Sequence, residues 1–91
     1  MKTVRLLISG RVQGVGYRDW VRGQALDLGV VGWVRNLRDG RVEAVAGGDD
    51  AAIAALIDRA GEGPSLAQVD RVDVSDAERP SESAFEVRPT A

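Results

Sequence analysis

Two glycines near the amino terminus, Gly14 and Gly16, place the strongest constraint on how this chain can fold. They lie between a stretch with the alternating pattern of a strand and a stretch with the spacing of a helix. Because glycine lacks a Cβ atom, the backbone there can turn tightly and bring several N–H groups together. Arg18 follows at the start of the helix and adds a planar, permanently charged guanidinium. The segment therefore predicts an anion-binding loop at a helix N-terminus, where the N–H donors and the helix dipole both favour phosphate.

Neither of the best-known phosphate-binding motifs accounts for this loop. No Gly-Lys-Ser/Thr follows the second glycine, and the Gly-x-Gly-x-x-Gly spacing of dinucleotide-binding folds is absent. A simpler alternative is a tight strand-to-helix turn that needs glycine only for its backbone conformation. Arg18 favours the anion-binding interpretation without deciding between the two.

Hydrophobic periodicity predicts the elements of the first half of the chain. Val4, Leu6 and Ile8 alternate with polar residues, as in a half-buried strand that continues to Val12. A helix is predicted over residues 18–28, just before a glycine suited to end it. Residues 30–37 have the composition of a second strand. An Asp-Gly turn then leads to a paired strand over residues 41–46.

The second half predicts one more helix and two strands. Asp49 and Asp50 supply an N-cap and a favourable charge for the first helical turn. The apolar stripe of this helix consists of Ile53, Leu56, Ile57 and Ala60. Residues 69–74 predict a strand, the polar residues 76–83 a loop, and Phe85 with Val87 a short last strand. The order β-α-β-β-α-β is typical of the ferredoxin-like arrangement. We therefore predict a single α+β domain over residues 1–91, a ferredoxin-like sandwich whose two helices cover one face of a mainly antiparallel sheet.

The composition excludes several kinds of chemistry. The chain contains no cysteine and no histidine, which excludes disulfides and thiolate nucleophiles and removes the commonest metal ligand and general base. No apolar run is long enough to span a bilayer and no signal-peptide region opens the chain, so we expect a cytoplasmic protein without a membrane partner.

The net charge of −2 conceals a basic first part: residues 1–41 hold eight bases and three acids. Most of those arginines are expected to lie in solvent, but their excess favours an anionic ligand at the glycines.

A second candidate residue is Asn36, near the end of the strand over residues 30–37. Asparagine is depleted in strands, so its presence there needs a reason. One alternative is a hydrogen bond from its side chain to the neighbouring hairpin turn. The other is that it faces the glycines, since the first loop and the second strand can lie close together in this fold, and there holds a water molecule with its amide.

The two stretches together resemble the signature motifs of the acylphosphatase family. Residues 10–18 match Gly-x-Val-Gln-Gly-Val-x-aromatic-Arg, and residues 32–40 match Gly-aromatic-Val-basic-Asn with a following glycine. The similarity extends to the order of elements and to residues 85–88. Tyr17 stands where the family often has phenylalanine.

The resemblance implies a small, monomeric, cytosolic hydrolase that cleaves acyl phosphates to a carboxylate and inorganic phosphate, without cofactor or metal. It assigns phosphate binding to Arg18 and the positioning of the attacking water to Asn36. We expect the backbone of one loop to hold the phosphoryl group, and inorganic phosphate or sulfate to inhibit. The residues of that loop are Gln13, Gly14, Val15, Gly16 and Tyr17. Asp19 is expected to point to solvent, because a contact with Arg18 would compete with the substrate.

Two other functions stay open at this point. One is a non-catalytic acylphosphatase-like module that only binds a phosphate. The other is an RNA-binding domain of the same topology, although its central strands would need aromatic residues to stack bases, and residues 4–12 and 41–46 have none. We expect no nucleic-acid partner. Scattered acids in the second half are expected to lie in solvent rather than to bind a metal.

Overall fold

The structure, a computed structural model, describes all 91 residues and contains seven elements in the predicted order. The helices and strands are β1 (Lys2–Arg11), α1 (Tyr17–Leu28), β2 (Val31–Asn36), β3 (Val42–Gly48), α2 (Asp50–Glu62), β4 (Gln68–Asp76) and β5 (Phe85–Val87). The predicted α+β class and ferredoxin-like order are confirmed. Neither helix is long and apolar enough to cross a membrane.

The five strands form one sheet in the order β4-β1-β3-β2-β5. β1 runs antiparallel to both β3 and β4, and β3 runs antiparallel to β2. The short β5 pairs parallel to the outer edge of β2. The sheet is therefore mainly antiparallel, as predicted.

Two strands are longer than their hydrophobic pattern indicates. β3 continues to Gly48, which pairs with Lys2, and β4 continues to Asp76, which pairs with Val4. Both follow β1 along its length, because backbone pairing continues wherever a neighbouring strand offers partners. The side-chain pattern alone cannot report this extension.

The core lies between the helices and one face of the sheet. Along β1, Val4, Leu6 and Ile8 are buried while their neighbours are not, which is the period of two expected for a strand covered on one side. α1 contributes Val21 among its buried residues, and α2 contributes Leu56. This core fixes the start of α1 relative to the strands beneath it.

The opposite face of the sheet carries charged and aromatic side chains. Glu43 has a side chain only 7% exposed and accepts hydrogen bonds from Arg5 at 2.6 Å and from Arg35 at 2.7 Å. The guanidinium groups of Arg35 and Arg88 lie over the ring of Trp33, 4.7 and 4.5 Å from its centroid. These contacts connect three neighbouring strands to the segment that follows β5.

Candidate functional site

A small cavity opens where β1, α1 and β2 meet. Its volume is about 120 Å³, whereas one water molecule requires roughly 10–15 Å³ by this measure, so a tetrahedral oxyanion can be accommodated with a water molecule. The lining residues are Val12, Gln13, Gly14, Gly16, Tyr17, Arg18, Asp19 and Asn36. The structure therefore brings the predicted residues Arg18 and Asn36 to one site.

The glycine loop, residues 12–16, joins β1 to α1 and forms one wall of this cavity. Gly14 and Gly16 have φ angles of +73° and +76°, in the left-handed region that no other residue type enters in this chain. Gly16 is the N-cap residue of α1, and no side chain caps that helix. The first N–H groups of a helix have no partner within it. At α1 these donors are therefore left without a side-chain acceptor at the edge of the cavity.

The side chain of Gln13 is occupied by the chain itself. Its Nε2 atom donates to the carbonyl oxygens of Leu37 at 2.8 Å and of Arg41 at 2.9 Å. These two carbonyls flank the hairpin turn between β2 and β3, so the amide fastens the glycine loop to that turn. Val15 does not line the cavity, and its side chain packs against the core. At Gln13 and Val15, therefore, only backbone groups remain to contact an anion.

Tyr17 anchors the end of the loop. Its ring is buried, its hydroxyl donates to the carbonyl oxygen of Ala60 at 2.6 Å, and burial raises the pKa of the phenol. A phenol that is bonded to α2 and resists ionisation does not act as a proton donor or acceptor in the cavity. Its contribution is to hold the start of α1 against the second helix.

Arg18 lies at the cavity without a carboxylate partner. It is half-buried, none of the six ion pairs includes it, and its Nη1 atom donates to the carbonyl oxygen of Arg88 at 3.3 Å. Asp19, the next residue, also lines the cavity, but it is exposed and forms no ion pair with Arg18. The positive charge of Arg18 is therefore not neutralised by a neighbouring acid.

Asn36, the last residue of β2, has a buried Oδ1 atom with no hydrogen-bond partner. No hydrogen bond joins this side chain to the hairpin turn, whose Leu37 and Arg41 carbonyls instead accept from the amide of Gln13. A buried, unpaired polar atom is costly in a folded protein and calls for an explanation at that position. Here the atom belongs to a residue that lines the same cavity as Arg18.

Two contacts at the site are not visible from local sequence patterns. The Arg88 carbonyl reaches Arg18 from 70 positions away along the chain, and Gln13 reaches the hairpin turn from 24 and 28 positions away. The only sequence signal for Arg88 was its place in the segment that resembles the family ending. Nothing in a strand-like Phe-Glu-Val-Arg stretch indicates which backbone carbonyl will meet an arginine.

The other predicted alternatives find no support around the cavity. No group of three or more acidic side chains is arranged to hold a metal ion. The two central strands that an RNA-binding sheet would use, β1 and β3, carry no aromatic residue. Trp33, on β2, has the guanidinium groups of Arg35 and Arg88 over its ring, and Trp20 packs against the core.

The family model for acylphosphatase matches residues 4–87, which include the glycine loop, Arg18 and Asn36. The chain belongs to the acylphosphatase family. It is 56% identical over 88 residues to an acylphosphatase of Thiobacillus denitrificans, covering 97% of this chain and 98% of that one. An acylphosphatase of Mesorhizobium japonicum is 53% identical over 77 residues, 85% of this chain and 82% of its own.

The solved acylphosphatase structures have the same fold. The crystal structure of the acylphosphatase from Bacillus subtilis superposes with a TM-score of 0.93 at 31% identity, covering 97% of this chain and 99% of that one. The predicted family resemblance is therefore confirmed over nearly the whole chain, at the level of both sequence and fold.

Proposed function

We propose that this acylphosphatase-family enzyme hydrolyses the carboxyl–phosphate bond of small acyl phosphates by direct attack of water on phosphorus. The products are a carboxylate and inorganic phosphate. In this proposal Arg18 and the N–H groups of the glycine loop bind the phosphoryl oxygens, and Asn36 positions the water. The observation that carries it is the buried, unpartnered Oδ1 of Asn36 in the cavity that Arg18 lines.

The phosphoryl group is held by donors that the fold leaves free. In this proposal the backbone N–H groups from Gln13 to Tyr17 donate to it next to the uncapped start of α1, where the helix dipole favours an anion. Arg18 adds a guanidinium whose geometry suits two phosphoryl oxygens at once. Charge stabilisation of this kind strengthens as the transition state develops negative charge on the same oxygens.

The water is positioned by Asn36. A water molecule that donates one proton to Oδ1 has its lone pairs directed elsewhere, and in the proposed geometry they face phosphorus on the side opposite the leaving carboxylate. Asparagine is not a base, so the proton of the attacking water passes to a phosphoryl oxygen. The oxygen–phosphorus bond to water forms as the bond to the carboxylate breaks, and the electron pair leaves with the carboxylate.

So few groups suffice because the leaving group is good. A carboxylic acid has a pKa of roughly 4 to 5, so the departing oxygen needs no proton near neutral pH. Phosphoryl transfer passes through a largely dissociative transition state, in which the protein mainly positions and stabilises charge. A chain without histidine or cysteine can therefore carry out this reaction.

We further propose that the chain works as a monomer in the cytoplasm on a small-molecule substrate, with no metal ion, cofactor, nucleic acid or membrane surface. The negative net charge of −2 and the absence of aromatic residues from β1 and β3 support the exclusion of nucleic acid. Activity after exhaustive chelation with EDTA tests metal independence. Loss of turnover that one divalent ion restores would overturn it.

Phosphate release from benzoyl phosphate tests the proposed function. We expect turnover that inorganic phosphate or sulfate inhibits competitively, because the same cavity accepts any tetrahedral oxyanion. Phosphate binding without turnover would instead identify a non-catalytic module. Inhibition that is not competitive, or none at millimolar anion, would place the site elsewhere.

A further inference from the structure

The direction of the Arg18 side chain depends on a distant part of the chain. Its Nη1 atom donates to the carbonyl oxygen of Arg88 at 3.3 Å, and no carboxylate holds the guanidinium from another side. Guanidinium has five N–H donors, so this bond leaves four for a ligand. The carbonyl at residue 88 can thus orient Arg18 without consuming its capacity to bind phosphate.

Arg88 is itself fixed by three contacts. Its N–H donates to the carbonyl oxygen of Val34 at 2.9 Å, which extends the pairing of β5 with β2. Its guanidinium lies 4.5 Å from the centroid of the Trp33 ring and forms an ion pair with Glu82. The Glu82 side chain is only 7% exposed. Trp33 and the core residue Val34 are neighbours on β2 and point to opposite faces of the sheet. The Trp33 ring and the Glu82 carboxylate therefore hold the side chain of Arg88 on the face opposite the helices.

We propose that Arg88 is a positioning residue for phosphate binding: its side chain, held by Trp33 and Glu82, fixes the backbone carbonyl that orients Arg18. This proposal rests on the proposed role of Arg18 in binding phosphate. A long side chain that is ordered before the ligand arrives loses less conformational freedom on binding, and the ligand binds more tightly as a result. The ion pair on the outer face of the sheet therefore acts on the cavity through one peptide group.

Simple electrostatics and the positioning role predict opposite results for one substitution. Glu82→Gln removes a negative charge, which by itself strengthens the binding of an anion. If Glu82 acts by holding Arg88, the same substitution weakens phosphate binding, because the Arg88 carbonyl becomes less well fixed. Arg88→Ala keeps the carbonyl but removes the side chain that anchors it, and is expected to weaken binding as well.

The test measures the affinity for inorganic phosphate by NMR titration of the backbone amides. The variants are Glu82→Gln, Arg88→Ala, Arg18→Ala and the double variant Arg18→Ala/Arg88→Ala. Arg59→Ala is the matched control, because its side chain is 34% exposed against 38% for Arg88 and is also ion-paired, but with Asp27 near the far end of α1. Melting temperatures of all variants are recorded alongside.

We expect Glu82→Gln and Arg88→Ala each to weaken phosphate binding by about 2- to 10-fold, the range for freeing one ordered side chain, while Arg59→Ala leaves it unchanged. Arg88→Ala added to Arg18→Ala causes no further loss, because the residue through which it acts is gone. Unchanged or tighter binding in Glu82→Gln overturns the positioning role, even where melting falls. An equal loss from Arg88→Ala in both backgrounds overturns it too. Unchanged affinity in Arg18→Ala overturns the proposed function instead.

Discussion

The two helices begin in opposite ways. At α2, Asp49 occupies the N-cap with an extended backbone, and its side chain accepts a hydrogen bond from the N–H of Ala52 at 2.7 Å. At α1, the N-cap is Gly16 in a left-handed conformation, and no side chain caps the helix. A side-chain cap stabilises a helix by about 1 kcal/mol. The chain uses this stabilisation at α2 and forgoes it at α1.

The difference separates a helix N-terminus that is capped by its own side chain from the one that we propose binds the anion. The uncapped donors of α1 adjoin a cavity that also contains an arginine without an acidic partner and an unpaired amide oxygen from Asn36. The capped start of α2 adjoins neither of the two pockets in the structure. A missing helix cap indicates a binding site where other unpaired polar groups lie beside it. Substitutions at the starts of the two helices should therefore have different consequences.

The largest expected effect is at Arg18. Arg18→Ala should lower kcat/KM by about 10³-fold or more, the magnitude associated with an arginine that stabilises phosphoryl transfer. Arg18→Lys should recover little, because lysine keeps the charge but loses the planar fork of donors. Steady-state hydrolysis of benzoyl phosphate measures both. A lysine variant with near-wild-type kcat/KM would contradict the proposed contact with two phosphoryl oxygens.

A carboxylate placed at the start of α1 should abolish the difference between the helices. Gly16→Asp is expected to weaken phosphate binding on the order of 10-fold or more, since the new charge repels the anion and competes for the same donors. A Cβ at this position meets no atom within 4 Å, and aspartate tolerates the left-handed conformation better than most residues. Gly16→Asn is the matched uncharged control, and its affinity should fall less. Wild-type affinity in both variants would show that phosphate does not bind at this helix end.

The cap of α2 should matter for stability alone. Asp49→Ala is expected to cost about 1 kcal/mol, which corresponds to a fall in Tm of roughly 4–8 °C for a domain of this size. Well below that temperature kcat/KM should not change. Asp50→Ala, next to the cap and likewise in an acidic first turn, should have a smaller effect on Tm. Reduced activity of Asp49→Ala with unchanged melting would mean that the two helix ends are functionally linked.

The smallest expected effect concerns acid stability, which we locate away from both helix ends. Burial alone would raise the pKa of Glu43, but its hydrogen bonds with Arg5 and Arg35 outweigh burial and hold the pKa below its ordinary value of 4.5. A carboxyl with a lowered folded pKa contributes stability above its unfolded pKa and loses that contribution as the pH falls through the folded value. Urea unfolding between about pH 3 and 7 should show stability falling below about pH 4.5. The Glu43→Gln variant should be less stable than wild type at neutral pH, and its stability should depend less on acid. An unchanged acid dependence in this variant would mean that other groups cause the loss of stability.

Local sequence patterns predicted the fold, and singled out two residues that line the cavity, for identifiable reasons. The alternation in β1, the Asp49 cap and the two glycines of the loop are each set by neighbours within a few positions, so periodicity and turn chemistry reveal them. Arg18 and Asn36, which the structure places at one cavity, stand out in the sequence because each is unusual at its position: a guanidinium directly after a glycine loop, and an amide near a strand end.

Contacts between distant segments could not be predicted in the same way. The side-chain amide of Gln13 donates to the carbonyl oxygens of Leu37 and Arg41 across the hairpin turn, and the sequence pattern assigned no role to this side chain. The link from Arg18 to the Arg88 carbonyl, and the parallel pairing of β5 with β2, depend on how the C-terminal segment docks. Such contacts follow from tertiary packing, which no short window of sequence contains.

The division of roles within the cavity is tested most directly by Asn36→Ala, with kcat and phosphate affinity measured separately. An interaction made mainly in the transition state lowers kcat and leaves ground-state affinity nearly intact. We expect kcat to fall on the order of 10²-fold or more, as for the loss of one positioned polar group, with calorimetric phosphate affinity and Tm close to wild type. Weakened phosphate binding with retained turnover would instead make Asn36 part of the anion site and contradict its role at the attacking water.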